Sequence, residues 1–158
     1  MMTGDGEALT GLWFDRQRHF EDAGAALPEK DLPVFRETAR WLDVYFGGGI
    51  PDFTPRLCLR GTAFRQAVWE RLLTIPYGQT TTYGAIAAAL AEEQGISRMS
   101  AQAVGGAVGH NPVSLIVPCH RVIGADGTLT GYGGGLDRKA ALLALERNRL
   151  AGCRPTEF

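Results

Sequence analysis

Apolar residues recur along this chain with two different periods, and the switches between them mark out its elements. The stretch from 8 to 20 carries a β-prone core, Leu12-Trp13-Phe14, which predicts a strand. Residues 24–33 read as loop. From Pro33 to Phe46, Val34, Thr38, Trp41, Leu42, Tyr45 and Phe46 follow helical spacing until Gly47-Gly48-Gly49 ends the run. That helix is expected to pack on a small sheet. Residues 51–55, with a proline at each end, read as linker, and Leu57-Cys58-Leu59 reads as a short extended piece. A domain boundary falls there, dividing the chain into 1–60 and 61–158.

Helical periodicity dominates the second part. Thr62 is a suitable N-cap for a helix carrying Phe64, Val68, Leu72 and Leu73, which Ile75-Pro76-Tyr77-Gly78 terminates. After Thr80-Thr81-Thr82, the residues Tyr83, Ile86, Ala87 and Leu90 fall at i, i+3, i+4 and i+7 and predict a second helix. In 100–109 the pattern puts Ala103, Val104, Ala107 and Val108 on an inner face. The other face, Gln102, Gly105, Gly106 and Gly109, is almost without side chains. Glycine inside a helix costs roughly 1 kcal/mol relative to alanine, so a surface so rich in it implies a close neighbour. Another helix and a nucleic-acid backbone are equal candidates. Two short helices in succession suggest a helix-turn-helix, although 92–99 is a longer joint than the usual one.

Further on, Ser114 to Val117 is apolar and rich in β-branched residues, lies between Asn111-Pro112 and Pro118, and predicts a short buried strand with Cys119 at its end. Gly127 and Gly131-Tyr132-Gly133-Gly134-Gly135 form a loop without the lysine of a phosphate-binding loop or the spacing of a dinucleotide fingerprint. A last helix runs from Asp137 to about Leu150, with Leu142, Leu143 and Leu145 inward and Glu146 as an ordinary helical glutamate. The fold class is α+β.

Composition narrows the setting. An apolar fraction of 45% suits a globular protein, no apolar run is long enough to span a bilayer, and the first residues lack the features of a signal peptide. Cytoplasmic placement follows as an expectation. Three cysteines, odd in number and widely spaced, fit neither a disulfide framework nor a zinc ribbon. The net charge of -1 argues against a strongly basic nucleic-acid binder. Its distribution is uneven, however: residues 1–60 hold ten acidic and seven basic residues, or -3, and residues 61–158 hold seven and nine, or +2. If either part touches nucleic acid, it is the second.

The candidate chemistry is Cys119. A free thiol is only a few per cent ionised at neutral pH, and a nucleophilic cysteine needs a basic or electropositive neighbour. His120 and Arg121 are the adjacent suppliers. Against this stands the reading of an inert buried thiol, the common fate of a free cysteine.

The quartet Pro118-Cys119-His120-Arg121 resembles the reactive-cysteine motif of the O6-alkylguanine-DNA alkyltransferases, the methylated-DNA–protein-cysteine methyltransferases. Tyr83, Ala103-Val104-Gly105-Gly106, Asn111-Pro112, Gly131-Tyr132 and Glu146 follow that family's order. The match is most specific from Phe64 to Glu146 and weaker over the first sixty residues. The resemblance implies a small ribonuclease H-like α/β domain with linker over 1–60, apparently shortened, and a mainly helical DNA-binding domain with a helix-turn-helix over 61–158. It implies direct-reversal repair, in which Cys119 irreversibly accepts the alkyl (methyl) group of O6-alkylguanine, with O4-alkylthymine as a second candidate substrate. His120 would deprotonate Cys119 through a water, Glu146 would orient His120, and Asn111 would tie the recognition helix to the active-site turn. Tyr83 would contact the flipped base and help rotate its phosphate. The Cys119 amide and Val122 carbonyl would read the guanine amino group, the Gly133 amide would approach O6, and Tyr132 would form a pocket wall. Gln102, Gly105, Gly106 and Arg121 would face DNA, with Gln102 at the position of the family's gap-filling arginine.

The partner so implied is double-stranded DNA containing alkylated guanine, bound by a monomer with no cofactor, metal or membrane. Two other readings are weighed beside it. A non-catalytic sensor of alkylated DNA would carry tryptophan where this chain has Cys119, and a Cys-His hydrolase would need a histidine touching the thiol and an oxyanion hole.

Overall fold

The computed structural model describes residues 1–18 and 30–152. The proposed loop from Gly24 lies mostly outside these residues, as does Cys153. Near the N-terminus, β1 (Met2–Gly4) and β2 (Leu9–Leu12) form an antiparallel hairpin that pairs Met2 with Leu12. The strand expected over 8–20 is therefore only its first part. Trp13 leaves the sheet and folds back over Gly11, where a Cβ would stand 1.8 Å from the indole. The Gln17 side chain then accepts the Phe14 amide at 3.0 Å and closes a turn.

β2 is stitched to two distant segments. The Leu9 amide donates to the Arg56 carbonyl and the Cys58 amide to the Leu9 carbonyl, which lays the predicted extended piece alongside β2. At the other end of β2, the Leu12 amide donates to Pro112 O at 2.8 Å and the Ser114 amide to Leu12 O at 2.9 Å. The N-terminal hairpin thus holds the loop that leads to Cys119.

Helix α1 (Pro33–Phe46) has the predicted bounds, with proline pre-set for its first turn and Val34, Thr38, Trp41 and Tyr45 buried. Phe46, the last apolar position of the stripe, is exposed. Helix α2 (Ala63–Leu73) is capped by Thr62, whose hydroxyl accepts the Arg65 amide at 3.2 Å. β3 (Thr81–Thr82) leads directly into α3 (Tyr83–Glu93), and α4 (Ala101–Gly109) follows with Ser100 as its cap. Trp69 donates from Nε1 to Ala107 O at 2.8 Å and fixes α2 to α4. In α4, Val104, Ala107 and Val108 are buried as expected, but Ala103 is exposed. Nine residues supply about two and a half turns, and Ala103 falls at the outer edge of the apolar stripe.

Ser114 to Val117 is buried but is not a strand. Leu115 has φ +70°, the Ile116 amide bonds back to Ser114 O, and the Val117 amide to Val113 O, so the segment coils into successive turns. A short apolar run between prolines fits a buried turn as well as a strand, since composition reports burial and not extension. Cys119 consequently opens a single 3-10 turn, Cys119–Arg121, and β4 (Val122–Ile123) follows, paired in parallel with β3. Helix α5 (Leu136–Gly152) closes the described chain, with Lys139, Leu142, Leu143 and Glu146 buried and Leu145 half-buried. Among the described residues no helix is long and apolar enough to cross a membrane.

Candidate active site

Glu146 is the centre of this site, although its sequence context suggests nothing unusual. Helix α5 places its carboxylate in a fully buried position among donors from three other segments. Oε1 accepts from the Tyr45 hydroxyl at 2.7 Å, His120 Nε2 at 2.7 Å and Arg121 Nη2 at 3.0 Å. Oε2 accepts from Arg121 Nε at 3.0 Å and the Gly78 amide at 2.9 Å. Gly78 is there for two reasons: its φ is +76°, and a Cβ would stand 2.1 Å from Leu150 Cδ1. Burial pushes the Glu146 carboxyl up, but the hydrogen bonds and charges of His120 and Arg121 outweigh it and hold the group at about 2.

An ionised carboxylate donates nothing, so His120 carries its proton on Nε2. Nδ1 is then the basic nitrogen. It is buried and has no hydrogen-bond partner. Burial is the main influence on His120 and lowers its pKa, leaving the ring neutral at physiological pH. Arg121, expected to face DNA, is instead buried. Its guanidinium is taken by Glu146 and by Ile75 O at 2.7 Å, because an arginine three residues from a proline turn and facing a buried carboxylate satisfies more donors inward than outward.

Cys119 lies at the start of the 3-10 turn and is 7% exposed. Its Sγ accepts from Asn111 Nδ2 at 3.1 Å; the same nitrogen donates to Val117 O at 2.8 Å, while Asn111 Oδ1 takes the Val113 amide at 3.0 Å. Asn111 sits just beyond the end of α4, so one side chain joins that helix to the turn and to the sulfur. Burial pushes the thiol up, opposed by the Asn111 hydrogen bond, the Lys139 charge and the backbone amides of Cys119 and His120. No hydrogen bond joins Sγ to the His120 ring among the described residues, but both hold places in the same turn.

Lys139 is the residue that sequence reasoning missed. It is fully buried, and its ammonium donates to Val122 O at 2.5 Å and Thr130 O at 2.8 Å. Burial lowers its pKa and the Cys119 charge raises it. The signal was available: Lys139, Leu142, Leu143 and Glu146 stand at i, i+3, i+4 and i+7, which puts two charged residues on the inward stripe of α5.

A cavity of ≈850 Å³ is walled by Tyr83, Gly105, Gly106, Thr130, Tyr132 and Gly133 among others, and the charge of Cys119 is felt by Tyr83 and Tyr132 in that wall. The Tyr83 hydroxyl donates to Thr130 O at 3.2 Å, and the Tyr132 hydroxyl is buried without a partner. Of the two explanations for the glycine face of α4, tight packing against another helix fails. Gly106 and Gly109 have nothing within 4 Å of where a Cβ would stand, and Gly105 meets only the Tyr83 ring at 3.7 Å. Gln102 lies on the exposed part of α4. Val122 O accepts from Lys139 and keeps a second lone pair, and the Cys119 amide is turned to Val117 O at 2.8 Å. Among the described residues no group of three or more His, Cys, Asp or Glu is placed to hold a metal ion.

Residues 63–148 match the family model described as 6-O-methylguanine DNA methyltransferase, DNA binding domain. The chain belongs to this family. Methylated-DNA–protein-cysteine methyltransferases from Mycobacterium tuberculosis and Mycobacterium leprae are 48% and 47% identical to it, over 94% and 95% of this chain and 86% and 87% of theirs. Among solved structures, Mycobacterium tuberculosis OGT in complex with DNA is similar with a TM-score of 0.80 at 47% identity, covering 94% of this chain and 86% of that one. A Methanococcus jannaschii O6-methylguanine DNA methyltransferase shares the fold with a TM-score of 0.65 at 29% identity, covering 100% of this chain and 90% of its own. The methyltransferase relatives thus span both the N-terminal hairpin and the helical part, not the cysteine motif alone.

Proposed function

We propose that this chain repairs alkylated DNA by moving the alkyl group from O6 of guanine to Sγ of Cys119, once per molecule. The observation that carries the reading is the His120 ring. Its Nε2–H is spent on an ionised Glu146, leaving a basic, buried and unpartnered Nδ1 in the turn that holds the nucleophile. The thiol proton passes to Nδ1 by way of a water, since Sγ and the His120 ring share no direct hydrogen bond among the described residues. The thiolate attacks the alkyl carbon; the S–C bond forms as the C–O6 bond breaks. The electron pair leaves with guanine, which takes up the proton. Water does not cleave the resulting thioether, so the protein is consumed.

At rest, burial keeps Cys119 largely protonated. Asn111, Lys139 and the amides at the head of the turn stabilise the thiolate once the base has closed over it. Lys139→Met is expected to slow transfer about tenfold at neutral pH and to move the pH–rate profile toward alkali, since one pKa unit of lost thiolate stabilisation corresponds to about tenfold. A slowed variant with an unmoved profile would assign Lys139 to packing alone.

The supporting architecture divides at 60/61. Residues 61–158 include α3 and α4, read here as a helix-turn-helix whose second helix enters the groove of double-stranded DNA through Gly105 and Gly106. Residues 1–60 are read as a ribonuclease H-like unit. Tyr83 and Tyr132 wall the pocket for the flipped base, and the Gly133 amide approaches O6. The protein acts as a cytoplasmic monomer without cofactor. Gln102 partly fills the stack vacated by the base, but lacks the flat charged surface of a guanidinium. Gln102→Arg is therefore expected to tighten duplex binding and steepen its salt dependence by about one unit or less of log–log slope, read by titration at several salt concentrations.

Intact-mass analysis and peptide mapping after incubation with an O6-methylguanine duplex test the central claim. One methyl per chain, on Cys119, is expected; an adduct on Cys58 or Cys153, or none, would sink it.

A further inference from the structure

The exposed face of α4 presents a problem that the proposed function leaves unsolved. From Ala101 to Gly109 the helix carries no lysine or arginine, yet duplex affinity comes largely from cations that neutralise phosphates. Elsewhere in the C-terminal part, Arg121 and Lys139 are buried and Arg71 pairs with Glu93 at 2.8 Å, while Arg98, exposed ahead of α4, lines a different pocket. Across the cavity from α4, however, stands Arg18. It is exposed and lines the same cavity as Tyr83, Gly105 and Gly106, and no carboxylate lines that cavity with it. Among the described residues its guanidinium has no hydrogen-bond or ion-pair partner.

The backbone beneath Arg18 is held firmly in place. The Arg18 amide donates to Gly133 O at 3.1 Å. Gln17, buried next to it, accepts from the Ser114 hydroxyl and the Phe14 amide, both at 3.0 Å. Gly133 packs so closely on Gln17 that a Cβ there would stand 3.4 Å from its Nε2. Arg138 braces the same corner, donating to Asp15 O at 3.1 Å with its guanidinium 5.0 Å from the Phe14 ring centroid. A cation unpaired among the described residues, on a fixed base and facing a neutral helix across the pocket, suits an anionic oxygen that arrives with the ligand.

We propose that Arg18 contacts a backbone phosphate of the DNA strand that delivers its base into this cavity. The N-terminal segment then supplies the cation that α4 lacks, and the duplex is gripped from two sides of the pocket. This rests on the alkyl-transfer reading for where the DNA lies. A phosphate is favoured over an acidic group on the adduct because Arg18 is exposed and lines the cavity, whereas the reacting sulfur is buried and does not line it.

The test is binding of undamaged duplex across a range of salt by wild type, Arg18→Gln and Arg18→Lys, with repair rates on O6-methylguanine in duplex and as the free base. Arg18→Gln is expected to weaken duplex binding about three- to tenfold near 0.1 M salt and to lower the log–log slope by about 0.9, the share of one phosphate. Arg18→Lys should keep the slope. The rate loss in Arg18→Gln should be several-fold greater on duplex than on free base. An unchanged slope, or equal rate losses on both substrates, would overturn the proposal. So would a loss confined to adducts bearing a carboxylate, which would assign Arg18 to the adduct. Wild-type protein that binds duplex but gains no methyl on Cys119 would refute the alkyl-transfer reading instead, and the slope comparison would still decide the Arg18 contact.

Discussion

Cys119→Ala is expected to abolish alkyl transfer completely while duplex binding stays within about threefold of wild type. The sulfur is the atom that forms the new bond, and no other group of the site can replace it. Its structural contribution is small. Asn111 Nδ2 keeps Val117 O at 2.8 Å and leaves unpaired only the one N–H that met Sγ. A hydrogen bond of this kind is worth about 1 kcal/mol net, too little to unfold a domain of ordinary stability. Single-turnover assays on O6-methylguanine duplex, with binding followed in parallel, check both halves. Residual transfer would place the nucleophile elsewhere; lost binding would make the thiol structural.

The second large effect falls on Glu146, where Glu146→Gln is expected to cost about 3–5 kcal/mol of stability as well as most of the reaction rate. The change keeps the shape and removes the charge. A carboxamide has one oxygen for acceptance, whereas the carboxylate here serves Tyr45, His120, Arg121 and Gly78 with two. The amide nitrogen would point a donor at other donors, and Arg121 would be left buried without its counter-charge, the situation that typically produces losses of this size. Chemical denaturation should show the midpoint falling; an unshifted midpoint would mean that the network reorganises around glutamine.

Acid should act in the same direction. The Glu146 pKa is depressed from 4.5 to about 2 in the folded protein, so its contribution is fully present above about 4.5 and is lost as pH falls toward 2. His120, buried and neutral, also has a lowered pKa, so acidification below its ordinary value of 6.5 favours the unfolded chain, which binds that proton more readily. Both slopes have the same sign.

The sequence made some of this site legible and hid the rest, for reasons that differ from residue to residue. Helix α1 and the cap Thr62 were visible because capping and periodicity are local properties. Cys119, His120 and Asn111 were visible through the ordered motifs. Ser114–Val117 was misread because turn and strand bury the same residues, and the positive φ at Leu115 leaves no trace in residue type. Arg121 was assigned to the surface by its charge; its partner lies 25 positions away on another helix. Lys139 and Glu146 carried a signal in their inward spacing, but a charged residue on an apolar stripe is ordinarily discounted. The Tyr45 hydroxyl could not be placed at all, because nothing in α1 encodes its contact with α5.

Those separations have a consequence for how the protein is made. Tyr45 meets Glu146 across 101 positions, and Gln17 meets Ser114 across 97. Contacts so distant along the chain form late, after the local helices, because closing long loops costs entropy before any contact repays it. The nucleophile is thus set by nearly the last event of folding. A partly folded chain holds an ordinary cysteine without an oriented base, and only the docked fold sets it beside Asn111 and in the turn that carries the His120–Glu146 pair.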